Sequence, residues 1–294
     1  MILVVGATGY LGTDICLRLR DKGLPVRGLV RKTSDPMKKD HLRNLGVELV
    51  EGNLKDRPSL EAACKGVEKV ITTATITLSR QPDDTIQNVD QAGQINLVDA
   101  ARAAGVRHFV YTSYSKNLDT DSPLTTAKRA VELHLMRSGM SYTILRPACF
   151  MEVWLSPAVG FDFPHAKAVV YGAGEAKLSW ISRGDVAAFA IAALEHPAAR
   201  NAMLELGGPE ALSPLQVVDI FEKATHRTFE VQLVPVEALR AQKAAATDSV
   251  QQSFAGLMLD YAKGDVIDMS VTLRTFPLKL TSVAEYAHHV LIGA

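Results

Sequence analysis

The chain has 294 residues, 47% of them hydrophobic, enough for one large domain or two modest ones with a buried core. Its 32 basic and 32 acidic side chains cancel to a formal net charge of zero, which argues against an electrostatic grip on nucleic acid or an anionic membrane. Cys16, Cys64 and Cys149 lie far apart without a CxxC spacing and read as buried free thiols, which suits a reducing compartment.

The opening "MILVV" is an apolar strand. It lacks a basic flank and is too short for a signal segment. No later run approaches the roughly 20 apolar residues of a membrane span, so a cytoplasmic protein is expected. "GTDICLRLRDKG" then reads as a helix stopped by Gly23, and "PVRGLVRK" as a second strand. A helix around "MKKDHLRNLG" leads to a third strand, "VELVEGN". "SLEAACKG" is a short helix with Ser59 as its expected N-cap, and "VEKVITTAT" is a fourth strand. The amphipathic helix "QAGQINLVDAARAAG" ends at Gly105. "RHFVYTS", "AKRAVELHLMRSG" and "SYTILRP" supply strand, helix and strand.

Short β-branched runs alternating with helices of ten or more residues predict repeated βαβ units. The near-continuous apolar strands indicate a parallel sheet covered on both faces. The expected fold class is therefore α/β, a Rossmann-type, doubly wound, mainly parallel sheet with right-handed crossovers.

The pattern changes after Pro147. Residues 156–177 are rich in Gly, Pro and aromatics and read as loops with a short strand. "SRGDVAAFAIAALEHP" is a helix that Ser182 or Asp185 can cap, and "NAMLELGG" is a seventh strand that rejoins the sheet. Ser213, Pro214 and Gln216 form a complete helix-start signal. The tail 236–294 has a mostly helical pattern. The expected organisation is a Rossmann domain over 1–150 and 178–208, with a smaller C-terminal substrate region over 151–177 and 209–294.

"VVGATGYLGTDI" joins the first strand to the first helix. Gly6 permits the turn, Gly9 lets the backbone approach a pyrophosphate, and Gly12 lets the helix pack on the strand. Thr8, Tyr10 and Leu11 complete this loop as expected cofactor contacts. A glycine pattern alone could be a bare structural turn, but the strand–turn–helix position favours dinucleotide binding. An acid at the end of the second strand would favour NAD, whereas here stand Arg31 and Lys32. Two cations suit a 2′-phosphate, so NADP(H) is expected to be preferred, with NAD(H) possible. The alternative is that both are merely exposed at a strand end. Asn53, Leu54, Thr73 and Ala74 follow the third and fourth strands and are expected to border the cofactor or to pack there.

These segments, with "GNLKD" and "DVAAFAIAALEHP", resemble the atypical branch of the short-chain dehydrogenase/reductase superfamily over about residues 1–210. The likeness is greatest to the NmrA-like group, which includes NADPH-dependent quinone reductases, triphenylmethane-dye reductases and isoflavone-type reductases. In the superfamily at large a YxxxK pair does the chemistry: the Tyr moves the proton, and the Lys holds the nicotinamide ribose and lowers the Tyr pKa. Lys128 matches that Lys, but Leu124 stands where the Tyr would be. Tyr111, Tyr114 and Tyr142 are followed at the fourth position by Ser115, Leu118 and Arg146.

The resemblance therefore implies a reductase of apolar conjugated or aromatic acceptors such as quinones, with Lys128 as ribose anchor or proton source. The alternative is a non-catalytic NADP(H)-binding redox sensor, regulator or assembly factor. On residues alone, Lys128 could also be a surface lysine paired with Glu132. Pro147 and Phe150 are expected to flank the nicotinamide. Met151 and Trp154 are expected to join Phe150 as an apolar substrate wall, with Ser113, Ser115 or Tyr114 near a substrate oxygen; core packing is the alternative for each. Partners other than a small apolar or aromatic molecule are not expected, no metal spacing is present among the eight histidines, and the chain is read as a monomer or homodimer.

Overall fold

A computed structural model describes residues 1–77, 80–119 and 121–292. Alternation begins at once, with β1 (Ile2–Val5), α1 (Tyr10–Asp21), β2 (Val26–Val30), α2 (Pro36–Asn44), β3 (Glu48–Glu51), α3 (Arg57–Cys64) and β4 (Lys69–Thr72). A π-helical turn, Ile86–Gln91, leads into α4 (Ala92–Ala103), followed by β5 (His108–Thr112), α5 (Pro123–Met136) and β6 (Ser141–Pro147). After α6 (Met151–Trp154), β7 (Phe161–Asp162) and β8 (Lys167–Tyr171) come α7 (Arg183–Ala193) and β9 (Ala202–Leu206). The remainder holds α8 (Pro214–Thr225), β10 (Glu230–Val234), α9 (Val236–Ala245), α10 (Ser249–Lys263), α11 (Ser270–Thr275) and α12 (Val283–Ile292).

Seven strands form one mainly parallel sheet in the order β3-β2-β1-β4-β5-β6-β9, the Rossmann-like arrangement that the βαβ pattern predicts. All residues of β1 and β5 are buried, as strands covered on both faces must be. The chain divides into two compact units. The first comprises residues 1–113, 123–145 and 187–204, and the second 114–122, 146–186 and 205–294.

In the first unit, β2 and β4 flank β1 on opposite sides, so the chain winds outward from β1 to β3 and then crosses back over to β4. Such a switch point opens a crevice at the C-terminal ends of the strands. Ser59 is not the cap of α3: that position belongs to Asp56, without a side-chain bond. Ser59 lies in the first turn, where its hydroxyl accepts the Asn53 N–H at 3.0 Å and donates to the Asp56 carbonyl at 2.7 Å. Helix α5 starts at Pro123, four residues before the predicted segment, so Lys128 lies inside the helix rather than at its head.

The second unit holds a three-stranded sheet, β10-β8-β7, of which the sequence pattern foretold one short strand. Its core gathers Phe161, Trp180, Phe221, Phe229 and Tyr261 with aliphatic neighbours. Helix α8 is capped as predicted: Ser213 Oγ accepts the Gln216 N–H at 3.2 Å, and the Gln216 side chain accepts the Ser213 N–H at 2.9 Å. The tail is helical from α9 to α12 as its pattern predicts; residues 293 and 294 lie outside the described residues. Among the described residues, no helix is long and apolar enough to cross a membrane. The three cysteines are buried and unbridged.

His108 opens β5 in the first unit, buried between the hydroxyls of Ser141 and Thr143, each 2.9 Å from a ring nitrogen. Burial, with help from Lys69 and Arg200, pushes its pKa from 6.5 to about 4. The unfolded chain takes up this proton at higher pH than the folded one, so stability falls as pH drops from 6.5 towards 4. Thermal unfolding midpoints measured across that range are expected to decline in the wild type and to decline less steeply in His108→Gln.

Candidate functional site

Gly6 has φ 85°, and a Cβ there would lie 2.8 Å from Thr73 Oγ1 and 3.0 Å from the Ala74 nitrogen. The loop after β1 and the end of β4 thus touch through a position where only glycine fits. A Cβ on Gly12 would lie 2.1 Å from the Gly6 carbonyl oxygen. Gly9 is exposed and caps α1 without any side-chain bond, and no acid occupies the first turn of this 12-residue helix. The positive end of α1 is therefore left to an external anion, and the glycine surface admits a close backbone approach. Around it, Thr8 and Leu11 are half-buried and Tyr10 is exposed with Lys38 Nζ 5.5 Å from its ring. These features fit a dinucleotide pyrophosphate.

Because β1 to β5 are parallel, their C-terminal ends share one edge of the sheet. That edge brings together the glycine loop, Arg31, Asn53, Leu54, Thr73, Ala74 and Ser113. Lys32 is exposed. Arg31 Nη1 lies 3.1 Å from Asp84 Oδ2, and Lys55 Nζ lies 2.7 Å from the other Asp84 oxygen. The Asp84 carboxylate also accepts the Gln81 N–H at 2.9 Å. An acid does stand at the end of β2, supplied from 53 residues away. Asn53 turns its side chain to the Lys55 N–H at 3.0 Å. Leu54 is buried, and a Cβ on Gly93 of α4 would lie 2.8 Å from its own Cβ.

Lys128 is 5% exposed, which rules out a solvated surface lysine. Its Nζ donates to the Thr112 carbonyl at 3.2 Å and stands 5.1 Å from the centre of the Tyr111 ring. Glu132 is not its partner: Arg129 takes that carboxylate at 2.6 Å and also donates to Ser113 Oγ at 3.1 Å. Burial pulls the Lys128 pKa below the ordinary lysine value, while the Asp90 and Glu132 charges oppose the fall. Leu124, on the same helix, is 3% exposed and carries no proton. Tyr111 and Asp90 escape sequence reasoning because neither belongs to a motif.

In the second unit, Tyr114 is half-buried, and Ser115 is fully buried with its hydroxyl donating to Asp265 Oδ1 at 2.8 Å. Asn117 donates to the same oxygen at 2.9 Å. Pro147 is buried, and its carbonyl accepts the Ser115 N–H at 3.0 Å. Phe150 is half-buried, caps α6 and bridges to Ile181. Met151, expected in a substrate wall, is fully buried in the unit's core. Trp154 is half-buried and stacks on Tyr261 with centroids 4.9 Å apart.

A glycine turn between the first strand and first helix, at the switch point of a parallel sheet, defines a Rossmann-type dinucleotide-binding fold. The NmrA-like family model matches residues 1–287, and the chain belongs to that family. It is 30% identical to an NAD(P)H azoreductase from Xenophilus azovorans, over all of both chains. It is 31% identical to an isoflavone reductase homolog from Zea mays, covering 99% of this chain and 98% of the relative. Among solved structures, an NADPH-dependent quinone oxidoreductase from Escherichia coli complexed with NADPH superposes with a TM-score of 0.80 at 26% identity, covering 99% of this chain and all of the other.

The contact between Gly12 and Gly6 sets a test. Gly12→Ala must displace α1 or the loop, and is expected to destabilise the protein by about 1–3 kcal/mol in chemical denaturation.

Proposed function

We propose that the protein is an NADPH-dependent reductase that delivers hydride to an apolar conjugated or aromatic acceptor, such as a quinone, without the usual catalytic tyrosine. One observation carries the reading: a buried lysine at the edge of a glycine-loop sheet, with Leu124 in place of the proton donor. The azoreductase and quinone oxidoreductase likenesses support it.

The residues divide the work as follows. Gly6, Gly9 and Gly12 admit the pyrophosphate to the first turn of α1. Arg31 and Lys32 hold the 2′-phosphate, Arg31 from its seat on Asp84. Asn53 and Leu54 border the adenine, Thr73 and Ala74 line the path, and Lys128 anchors the ribose. Pro147 and Phe150 serve the nicotinamide. Phe150 and Trp154 supply apolar surface for the acceptor, and Ser113 or Tyr114 a polar contact. When bound, NADPH would supply a hydride and be oxidised to NADP⁺, and the acceptor would gain that hydride and one proton. Water or Lys128 delivers the proton. A quinone tolerates this arrangement because its delocalised anion needs little acid assistance.

NADPH consumption measured against quinones, azo and triphenylmethane dyes and enones tests the activity. Turnover of at least one acceptor is expected, with Lys128→Met lowering kcat/KM by about tenfold or more. Tight NADPH binding with no acceptor reduced establishes the non-catalytic sensor instead. Cofactor choice has its own test: Arg31→Gln is expected to raise the Kd for NADPH about 10- to 100-fold and that for NADH far less, in fluorescence titrations.

A further inference from the structure

The buried acid at the end of β2 bears on cofactor choice. A carboxylate at that place ordinarily accepts the ribose hydroxyls of NAD, which runs against a preference for NADPH. Asp84 does not stand there bare. Its Oδ2 is 3.1 Å from Arg31 Nη1 and accepts the Gln81 N–H at 2.9 Å, and its Oδ1 is 2.7 Å from Lys55 Nζ. A single Arg can neutralise a carboxylate through two parallel bonds. Here a second cation sits on the same acid, although like charges repel at that range. The other partner of Lys55, Asp83, is exposed and screened by water, so the trio keeps a surplus of positive charge.

Three strand ends of the first unit build this arrangement. Arg31 follows β2 and Lys55 follows β3, and these strands pair in parallel with Val30 opposite Glu51. Asn53 Oδ1 accepts the Lys55 N–H at 3.0 Å, and the Asn53 carbonyl accepts the Asp56 N–H at 2.9 Å, which fixes the turn from which Lys55 reaches Asp84. Asp84 comes from the segment after β4 and is itself held. Its N–H donates to the Gln81 carbonyl at 3.0 Å, and the Gln81 side chain donates to the Thr33 hydroxyl. The Asn88 amide donates to the Asp83 carbonyl at 2.9 Å, and Asn88 also closes the reciprocal cap with Thr85.

We propose that Asp84 is a positioning residue for the 2′-phosphate of NADPH: it seats Arg31 and Lys55 side by side, and Lys55 thereby joins Arg31 as a cation for that phosphate. The proposal rests on the NADPH reading above. Both oxygens of the acid are engaged by cations, so it serves NADPH instead of the ribose hydroxyls of NADH. A phosphate monoester carries nearly two negative charges and three acceptor oxygens, which match a pair of fixed cations. Lys55 escapes the sequence because no motif places a cation after the third strand.

The test is calorimetric titration of the full chain with 2′,5′-ADP, which carries the phosphate, and with 5′-AMP, which lacks it. The wild type is expected to bind 2′,5′-ADP more tightly. Lys55→Met is expected to weaken 2′,5′-ADP about tenfold and 5′-AMP by less than about twofold. Asp84→Asn is expected to weaken 2′,5′-ADP about fivefold or more, again with little change for 5′-AMP. The sign separates positioning from bare charge, since removing a negative charge beside the phosphate by itself tightens binding. In the Arg31→Gln/Lys55→Met background, Asp84→Asn is expected to change 2′,5′-ADP affinity by less than about twofold. Asp84→Ser serves as a second neutral variant should Asp84→Asn not fold. Unchanged or tighter 2′,5′-ADP binding in a folded Asp84 variant overturns the proposal, as do equal losses for the two nucleotides. If Arg31→Gln alone abolishes the discrimination while Lys55→Met and Asp84→Asn keep it, the seat is overturned and the NADPH reading stands. A wild type that does not distinguish the two nucleotides overturns both.

Discussion

The first unit is organised by one close approach. The Gly6 carbonyl lies so near Gly12 that a single Cβ would sit 2.1 Å from its oxygen. This contact sets the distance between α1 and the turn after β1, and so aims the helix's first N–H groups at the sheet edge. The same turn touches Thr73 and Ala74, which fixes the end of β4 against it. Everything proposed for the cofactor assumes this geometry, because the neighbouring strand ends are useful only if the anion cradle sits among them. No side-chain chemistry is involved; the constraint is one of volume.

The second constraint is electrostatic, and it places acids in the interior. Asp84 and Asp90 are both buried, six residues apart, in the stretch between β4 and α4. Asp84 gathers Arg31 and Lys55, whereas Asp90 accepts the Ile76 N–H. Arg31, which the sequence marks for the cofactor, is thus faced by an acid from this short segment. Cations held by buried acids keep a fixed direction, which a solvated lysine or arginine does not.

Strands β1 to β6 were legible because apolar β-branched runs and helical spacing report burial directly, and the glycine loop because its spacing answers to a turn that few residues can make. The cap at Ser213 was legible for the same local reason. The three-stranded sheet of the second unit was not: Glu230 to Val234 is mostly exposed or half-buried and pairs with β8, some 60 residues earlier in the chain. The π-turn has no signature that separates it from an ordinary helix. The burial of Lys128 was obscured by charged neighbours within "AKRAVE", which read as a solvated face; tertiary packing on β5 and the π-turn overrides that local polarity. Asp84 could not be linked to Arg31 from spacing, since only the parallel order of β2, β1 and β4 brings their ends together.

His108 and Lys128 sit on the same parallel framework, one at the start of β5 and the other bonded to the carbonyl of the residue that ends it. Both are buried bases disfavoured in their charged forms, but His108 is pushed further towards neutrality by the Lys69 and Arg200 charges, whereas the Asp90 and Glu132 charges oppose that shift at Lys128. The two ends of one strand therefore border two buried bases, one on the strand and one on α5, whose surrounding charges act in opposite directions. Acid acts on the scaffold at the strand's beginning, and alkali acts on the site at its end. Laboratory selection for acid resistance can consequently work on the environment of His108 with little effect on the chemistry at the other end of the strand.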